Sequence, residues 1–490
     1  MEAPILSIAV FAPLAGALLL LLVRADDRRT LRAVATAFMA VPVVAVAWGA
    51  AQFRFGDPGL QLVERATWMP GIGVSYFLGA DGISLAMLAL SAVVGLVATI
   101  ASYGIDTRVK EYFVLLLLLQ TGVLGVFAAE DLILFYLFWE LVLIPMYFII
   151  GIWGHGRKEY SAIKFILYTM VASLLMLVGI LALYFLTGAK TFAIPELVGL
   201  GRTLAAGLQW WLFLAFFIGF AVKVPVWPFH TWLPDAHVDA PTPGSVMLAA
   251  VLLKLGAYGL LRIPLPAFPQ AAHAFAGTLA LLGVINIIYG ALAALSQRDL
   301  KKLVAYSSVN HMGFVLIGLA AATPAAVDGA VFQMVSHGLI SAMLFLMVGV
   351  FYDRFHTRDM ERFSGMYTVM PLAATFMAFA AFANLGLPFL SGFIAEFYTL
   401  IGSWTVFPQY VTAAALGLLL TAGFNLWMMQ RVLMGPVRAE QRGTPEMHAR
   451  EIVTLVPLAA FVLLLGVAPG LLTAWLNAPV QALVQRMGGM

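Results

Sequence analysis

The chain has 490 residues, of which 62% are hydrophobic and only 10% charged, with a mean hydropathy of +0.97 and a formal net charge of +3. A soluble protein of this size would leave a surface that water does not hydrate, so the composition specifies a polytopic membrane protein. The small positive charge is spread over short connections, which gives no basis for nucleic-acid binding, and the absence of cysteine excludes disulfides, thiolate-held iron–sulfur clusters and cysteine zinc sites in this chain.

The first apolar run, Pro4 to Val23, is followed by Arg24, Arg28, Arg29 and Arg32. A secretory signal carries its positive charge before the apolar core and ends at a small-residue cleavage site, so this run reads as a retained helix. At about 20 apolar residues per crossing, the hydropathy breaks predict fourteen helices, all in an all-α fold. They lie near 4–23, 31–52, 79–102, 111–129, 131–152, 161–187, 209–230, 243–263, 273–295, 302–322, 327–351, 370–401, 409–433 and 452–473. Asp81-Gly82 reads as the N-cap and bend of the third helix. Gly71-Ile72-Gly73 lacks the spacing and flanking elements of a dinucleotide fingerprint, and no phosphate-binding P-loop sequence occurs.

Eighteen of the 27 Lys and Arg residues fall on one set of alternate connections and six on the other, with Lys164, Lys223 and Lys254 inside helices. The positive-inside rule makes the first set cytoplasmic and both termini periplasmic, in a bacterial inner membrane.

Glu140, Lys223, Lys254, His311 and Glu396 lie near the middle of these apolar stretches. Charges at that depth are rare and mark ion or proton routes. If Glu140 and Lys223 face each other, each supports the other's charged form, and separating them favours proton transfer; the bland alternative is a fixed ion pair locking two helices. Lys254 has no carboxylate near it in sequence and sits too deep to snorkel. His311 and His337 carry the side chain that titrates near neutral pH, which suits a relay, although a lone histidine on an apolar helix also serves as a hydrogen-bonded packing residue. Glu396 reads as a final carboxylate, or else as one that satisfies amides of a broken helix.

Two helices carry break signals. Pro225 and Pro228 interrupt the seventh helix, and Gly386, Pro388 and Gly392 interrupt the twelfth. Discontinuous helices in corresponding halves point to inverted repeats with a site at the membrane midplane. His230, Asp235, His237 and Asp239 surround Pro234 and Pro241 at an expected cytoplasmic turn; they form no metal set of defined spacing and read as a proton-entry or supporting region. Lys164, near a helix start, reads equally as part of that region or as a snorkelling lysine.

Leu78-Gly79-Ala80-Asp81-Gly82-Ile83-Ser84, Phe138-Trp139-Glu140-Leu141, Phe229-His230-Thr231-Trp232-Leu233-Pro234-Asp235-Ala236-His237, Leu252-Leu253-Lys254-Leu255-Gly256 and Asp299-Leu300-Lys301-Lys302-Leu303-Val304-Ala305-Tyr306-Ser307-Ser308 together resemble the antiporter-like membrane subunits of respiratory complex I, related to Mrp antiporter subunits. Glutamate at Glu396, where sister subunits carry lysine, and a chain ending soon after its last helix without a long lateral helix favour the NuoM-type branch. The resemblance implies three N-terminal helices (1–110), two inverted five-helix repeats (111–263 and 264–433, with discontinuous helices near 209–239 and 370–401) and a final helix and tail (434–490). It also implies Glu140 at the junction with the next subunit, Lys223 as the lysine it modulates, Lys254 as the central lysine and Glu396 as the exit. The implied activity is proton translocation within NADH:quinone oxidoreductase, with no cofactor in this chain. Flavin (FMN), iron–sulfur clusters and quinone would lie in partner subunits, and two sister antiporter-like subunits would adjoin it. The alternatives are a Mrp-type cation/proton antiporter and a non-conducting structural subunit.

Overall fold

The computed structural model describes residues 3–488. Helices α1 (Ile5–Leu22) and α2 (Arg28–Gln52) lead into a two-stranded antiparallel hairpin, β1 (Gln61–Met69) and β2 (Val74–Ala80), and then α3 (Gly82–Ala101). The first five-helix group follows: α4 (Val109–Ala128), α5 (Leu132–Trp153), α6 (Lys158–Thr187) with the short surface helix α7 (Ile194–Gly201), the broken pair α8 (Ala206–Lys223) and α9 (Trp232–Asp239), then α10 (Thr242–Met247) and α11 (Leu253–Arg262) as one interrupted rod. After the short α12 (Pro264–Ala267) come α13 (Pro269–Leu295), α14 (Leu300–Ala321), α15 (Pro324–Phe355), the single turn α16 (Met366–Val369), the broken pair α17 (Pro371–Asn384) and α18 (Ser391–Trp404), and α19 (Pro408–Leu433). Finally α20 (Ala449–Val467) is followed by α21 (Gly470–Met487). Among the described residues, thirteen helices are long and apolar enough to cross a membrane, and α17 of the broken α17/α18 pair is a shorter apolar helix.

The two five-helix groups share a local device built on an Asp-Leu pair, Asp131-Leu132 and Asp299-Leu300. Asp131 caps α5, accepting from the N–H groups of Ile133 (3.0 Å) and Leu134 (3.2 Å). Asp299 caps α14 in the same way, accepting from Lys301 (2.8 Å) and Lys302 (3.0 Å). Each capped turn then pairs with the segment that follows the third helix of its group. Leu132 N donates to Phe192 O and Ile194 N to Glu130 O; Leu300 N donates to Arg358 O and Met360 N to Arg298 O. In both groups, moreover, the fourth helix is the broken one.

Two elements depart from the sequence reading. The connection before α3 is a β-hairpin, with Gly71-Ile72-Gly73 in its turn and Gly73 at φ +77°, a left-handed conformation that suits glycine. The expected tail is the helix α21, which packs Leu476, Val480 and Leu483 inward. Asn477, Pro479 and Gln481 lower its hydropathy below that of a crossing helix, which hid it from a search for spans. Gly82 is what lets α21 approach, because a Cβ there would collide with Trp475 O.

Candidate functional site

The two helix breaks free backbone groups inside the apolar stretches. Helix α8 stops at Lys223 and α9 starts at Trp232, so Pro225 and Pro228 lie in the gap. Asn286 on α13 closes this gap from the side: its Oδ1 accepts from Trp227 N at 2.8 Å and its Nδ2 donates to Pro225 O at 3.1 Å. Trp232 Nε1 donates to Val222 O across the same break at 2.8 Å. In the second half, α17 stops at Asn384 and α18 starts at Ser391, with Gly386 and Pro388 between. Asn384 Nδ2 donates to Asn425 Oδ1 at 3.1 Å, and Gly392 sits so close to Ala383 O that no Cβ fits. At the first break, side chains thus satisfy backbone groups that the interrupted ladder releases.

Helix α11 holds Lys254, and the segment just before it, Leu248–Leu252, is a π-helical turn. The looser winding leaves a carbonyl for a side chain, and Lys254 Nζ donates to Ala249 O at 2.6 Å. The same ammonium is 2.7 Å from His337 Nδ1 on α15, and Lys254 has no exposed surface. With Lys254 donating, Nδ1 accepts and the ring hydrogen of His337 lies on Nε2.

From His337 the file continues. The rings of His337 and His311 are 5.6 Å apart between centroids. His311 Nδ1 is 3.3 Å from Glu396 Oε1 and also 3.3 Å from Gln333 Nε2. One nitrogen therefore faces both an acceptor and a donor. Protonated, it favours the carboxylate; bare, it favours the amide. The carboxylate's other oxygen lies against Gly386 in the second break, where a Cβ would come within 2.6 Å. All four ionisable groups are buried, between 0% and 4% exposed.

Other expected residues behave differently. Among the described residues, Lys223 makes no ion pair with Glu140. Its Nζ instead lies 4.1 Å from the centre of the Trp139 ring, beside Glu140 in sequence, and makes no hydrogen bond. The pairing anticipated as one possible arrangement is open in this structure. Glu140 itself is only partly buried, on a face of α5 that exposes Leu137 and Ile144. No side-chain hydrogen bond links Lys223 to Lys254 among the described residues. Their helices meet instead through Gly256, whose lack of a Cβ admits Phe220 O and Val224.

The supporting region needs correction. Trp232–Asp239 is helical rather than a turn, since Pro234 falls in the first turn of α9, where its missing N–H costs no helical hydrogen bond. His237 is fully buried, stacked on Phe345 at 4.6 Å with neither ring nitrogen bonded. Lys164 does not stand alone; it is held 2.7 Å from Asp235. His230 Nε2 meets Tyr289 Oη at 3.2 Å, and Asp239 accepts from Ser161 Oγ at 2.6 Å. Among the described residues no group of three or more His, Asp or Glu is arranged to hold a metal ion.

Gln333 and Asn286 were not among the expected residues, because they carry no charge to mark them within an apolar helix. Sequence reasoning counted Lys301 as a loop charge, yet Lys301 is buried with its Nζ on Ala240 O at 2.5 Å. Asp81 is an N-cap as expected, accepting from Ser84 N at 2.9 Å, but it also pairs with Arg262, which is 3.0 Å from Glu130. The signal for that cluster was present in principle, as an arginine two turns after Lys254.

The family model described as NADH:quinone oxidoreductase/Mrp antiporter, TM matches residues 129–421. NADH-quinone oxidoreductase subunit M of Rhodobacter capsulatus is 46% identical over 496 residues, covering 98% of this chain and 96% of that protein. The subunit M of Rickettsia felis is 40% identical and covers 99% of each. Among solved structures, respiratory complex I from Thermus thermophilus with bound NADH contains a chain that superposes with a TM-score of 0.90 at 28% identity, covering 99% of this chain and 100% of that one. A chain of the Mrp complex from Dietzia shares the fold, with a TM-score of 0.84 at 24% identity over 98% of this chain and 51% of that one. Sequence and fold agree that this chain belongs to the NADH:quinone oxidoreductase/Mrp antiporter family of transmembrane subunits.

Proposed function

We propose that the chain is a proton-translocating membrane-arm subunit of a NADH:quinone oxidoreductase, with flavin, iron–sulfur clusters and quinone in partner subunits. The observation that carries this reading is the file Lys254, His337, His311 and Glu396, which joins the central lysine of α11 to the second helix break through buried ionisable groups. A dry structural core has no use for such a row, because each buried charge costs desolvation that apolar packing avoids.

In this reading the protonated Lys254 hands a proton to His337 Nδ1, and the hydrogen on Nε2 passes through water to His311. His311 starts with its hydrogen on Nδ1 toward Glu396, accepts that proton at Nε2 and releases the Nδ1 hydrogen to the Glu396 carboxylate. The bare Nδ1 then faces the Gln333 amide until the ring returns to its first tautomer. Nε2 of both histidines and Nζ of Lys223 have no protein partner, which is where solvent links would complete the file. Glu140, on the apolar outer face of α5, is the coupling point to a sister antiporter-like subunit. A change of charge in that neighbour alters the field at Lys223, and through it the proton affinity of Lys254. The repeats run over 111–263 and 264–433, flanked by 1–110 and 434–490, in a bacterial inner membrane with both termini periplasmic.

The test is Lys254→Ala and Glu140→Ala in the assembled complex, with proton pumping measured by dye quenching in inverted vesicles. We expect pumping to fall at least tenfold for Lys254→Ala while the complex remains intact on a native gel. Near-normal pumping with normal quinone reduction in both variants would contradict the relay, and loss of the complex in both would favour a purely structural subunit.

A further inference from the structure

One face of α11 continues past Lys254. Tyr258 follows one turn later and Arg262 one turn after that, so the three side chains share a stripe, each about 6 Å further along the axis. The stripe leads away from the His337 branch and toward the end of the molecule covered by α21. Tyr258 Oη meets Ser84 Oγ at 2.8 Å and Phe127 O at 3.2 Å, both in the buried interior. Arg262 then reaches Asp81 and, at 3.0 Å, Glu130 in the short turn between α4 and α5. Glu130, Asp81, Arg262 and Arg486 of α21 line a cavity of about 240 Å³ that opens to the surface. That is room for several waters against four charged groups.

We infer that Glu130 is a second proton-exchange group, linking Lys254 by way of the Tyr258 hydroxyl and water to the aqueous face beneath α21. This deepens the proposed function and rests on it, since a relay with no moving proton has no need of a second opening. The proton leaves the Lys254 ammonium, crosses the Tyr258 hydroxyl as one proton in and one proton out, and lands on the Glu130 carboxylate. Lys254 is left neutral and no electrons move. Burial pushes the Glu130 carboxyl up to about 7, against the opposing pull of Arg262 and, more weakly, Arg486, while Asp81 adds to the rise. Below that pH the group holds a proton and above it the group is charged, so it changes state in the neutral range. Tyr258, Arg262, Asp81 and Arg486 are the charged and titratable groups that face it. The competing role is mechanical, a buried ion cluster that fastens α3, α11 and α21.

Glu130→Gln keeps an oxygen for Arg262 but carries no proton, and Tyr258→Phe keeps the ring but loses the hydroxyl. In the assembled complex in inverted vesicles, we expect both variants to lower protons pumped per NADH oxidised, to lose the pH dependence of pumping between about pH 6 and 8, and Glu130→Asp to restore part of it. Pumping ratio and pH profile unchanged in Tyr258→Phe would overturn the inference, whatever happens to the assembly of Glu130→Gln. If Lys254→Ala still abolishes pumping in that case, the relay through His337 stands and only this branch falls. If Lys254→Ala also pumps normally, the proposed function fails with it.

Discussion

Individual side chains decide whether a proton can move sideways through this molecule. His311 holds the least replaceable position, because its Nδ1 is equidistant from Gln333 and Glu396 at 3.3 Å. Replacing Gln333 by Leu removes the donor that supports the bare nitrogen and leaves Glu396 as the only polar partner. We expect a slower pump whose complex still assembles, and the measurement is pumping rate against quinone reduction in the same vesicles; equal rates to wild type would remove Gln333 from the file. Asn286 does a different job, satisfying one donor and one acceptor in the first break. Asn286→Ala strands both, each costing about 1–3 kcal/mol, so the expected result is a lower thermal midpoint of the detergent-solubilised complex. Sequence alone exposed Lys254, His311 and Glu396, since charge in an apolar run is visible without a structure. Gln333 and Asn286 stayed hidden, because an amide on a buried helix is unremarkable until its neighbours are known.

Elements position those side chains through departures from regular helix. The π-turn at Leu248–Leu252 gives Lys254 a carbonyl, and the two breaks bring helix ends to membrane depth. Pro225, Pro228, Pro388 and the glycines around them made the breaks legible, because proline and glycine act locally. The π-turn was not legible: its residues, Leu-Ala-Ala-Val-Leu, suit an ordinary helix. Gly392 offers the sharpest test at this scale. Its position has no room beside Ala383 O, so Gly392→Val must push α18 from α17 and move Glu396 away from His311. The predicted outcome is an assembled complex that pumps poorly, or one too unstable to isolate, with Gly392→Ala intermediate; full pumping by Gly392→Val would show that the second break tolerates displacement and that the Glu396 contact is dispensable.

At the scale of the whole molecule, the proposed sidedness rests on where positive charge collects. Burial of Lys301 takes one residue out of the exposed set assigned to the cytoplasm in that proposal, and the excess on that side survives. The connection between α19 and α20 carries Arg438 and Arg442, with Arg450 in the first turn of α20, while the opposite surface presents the β-hairpin loop and α21. Because the chain has no cysteine, single cysteines can be placed without removing any native thiol. Gly56→Cys and Glu440→Cys suit this purpose, since an added Cβ at Gly56 meets nothing within 4 Å and Glu440 is exposed between α19 and α20. In intact cells, a membrane-impermeant thiol reagent should label Gly56→Cys and spare Glu440→Cys, and inverted vesicles should reverse the pattern. The opposite labelling would turn the molecule over. It would also put the Glu130 cavity on the cytoplasmic face, where the same group would admit protons to Lys254 instead of releasing them.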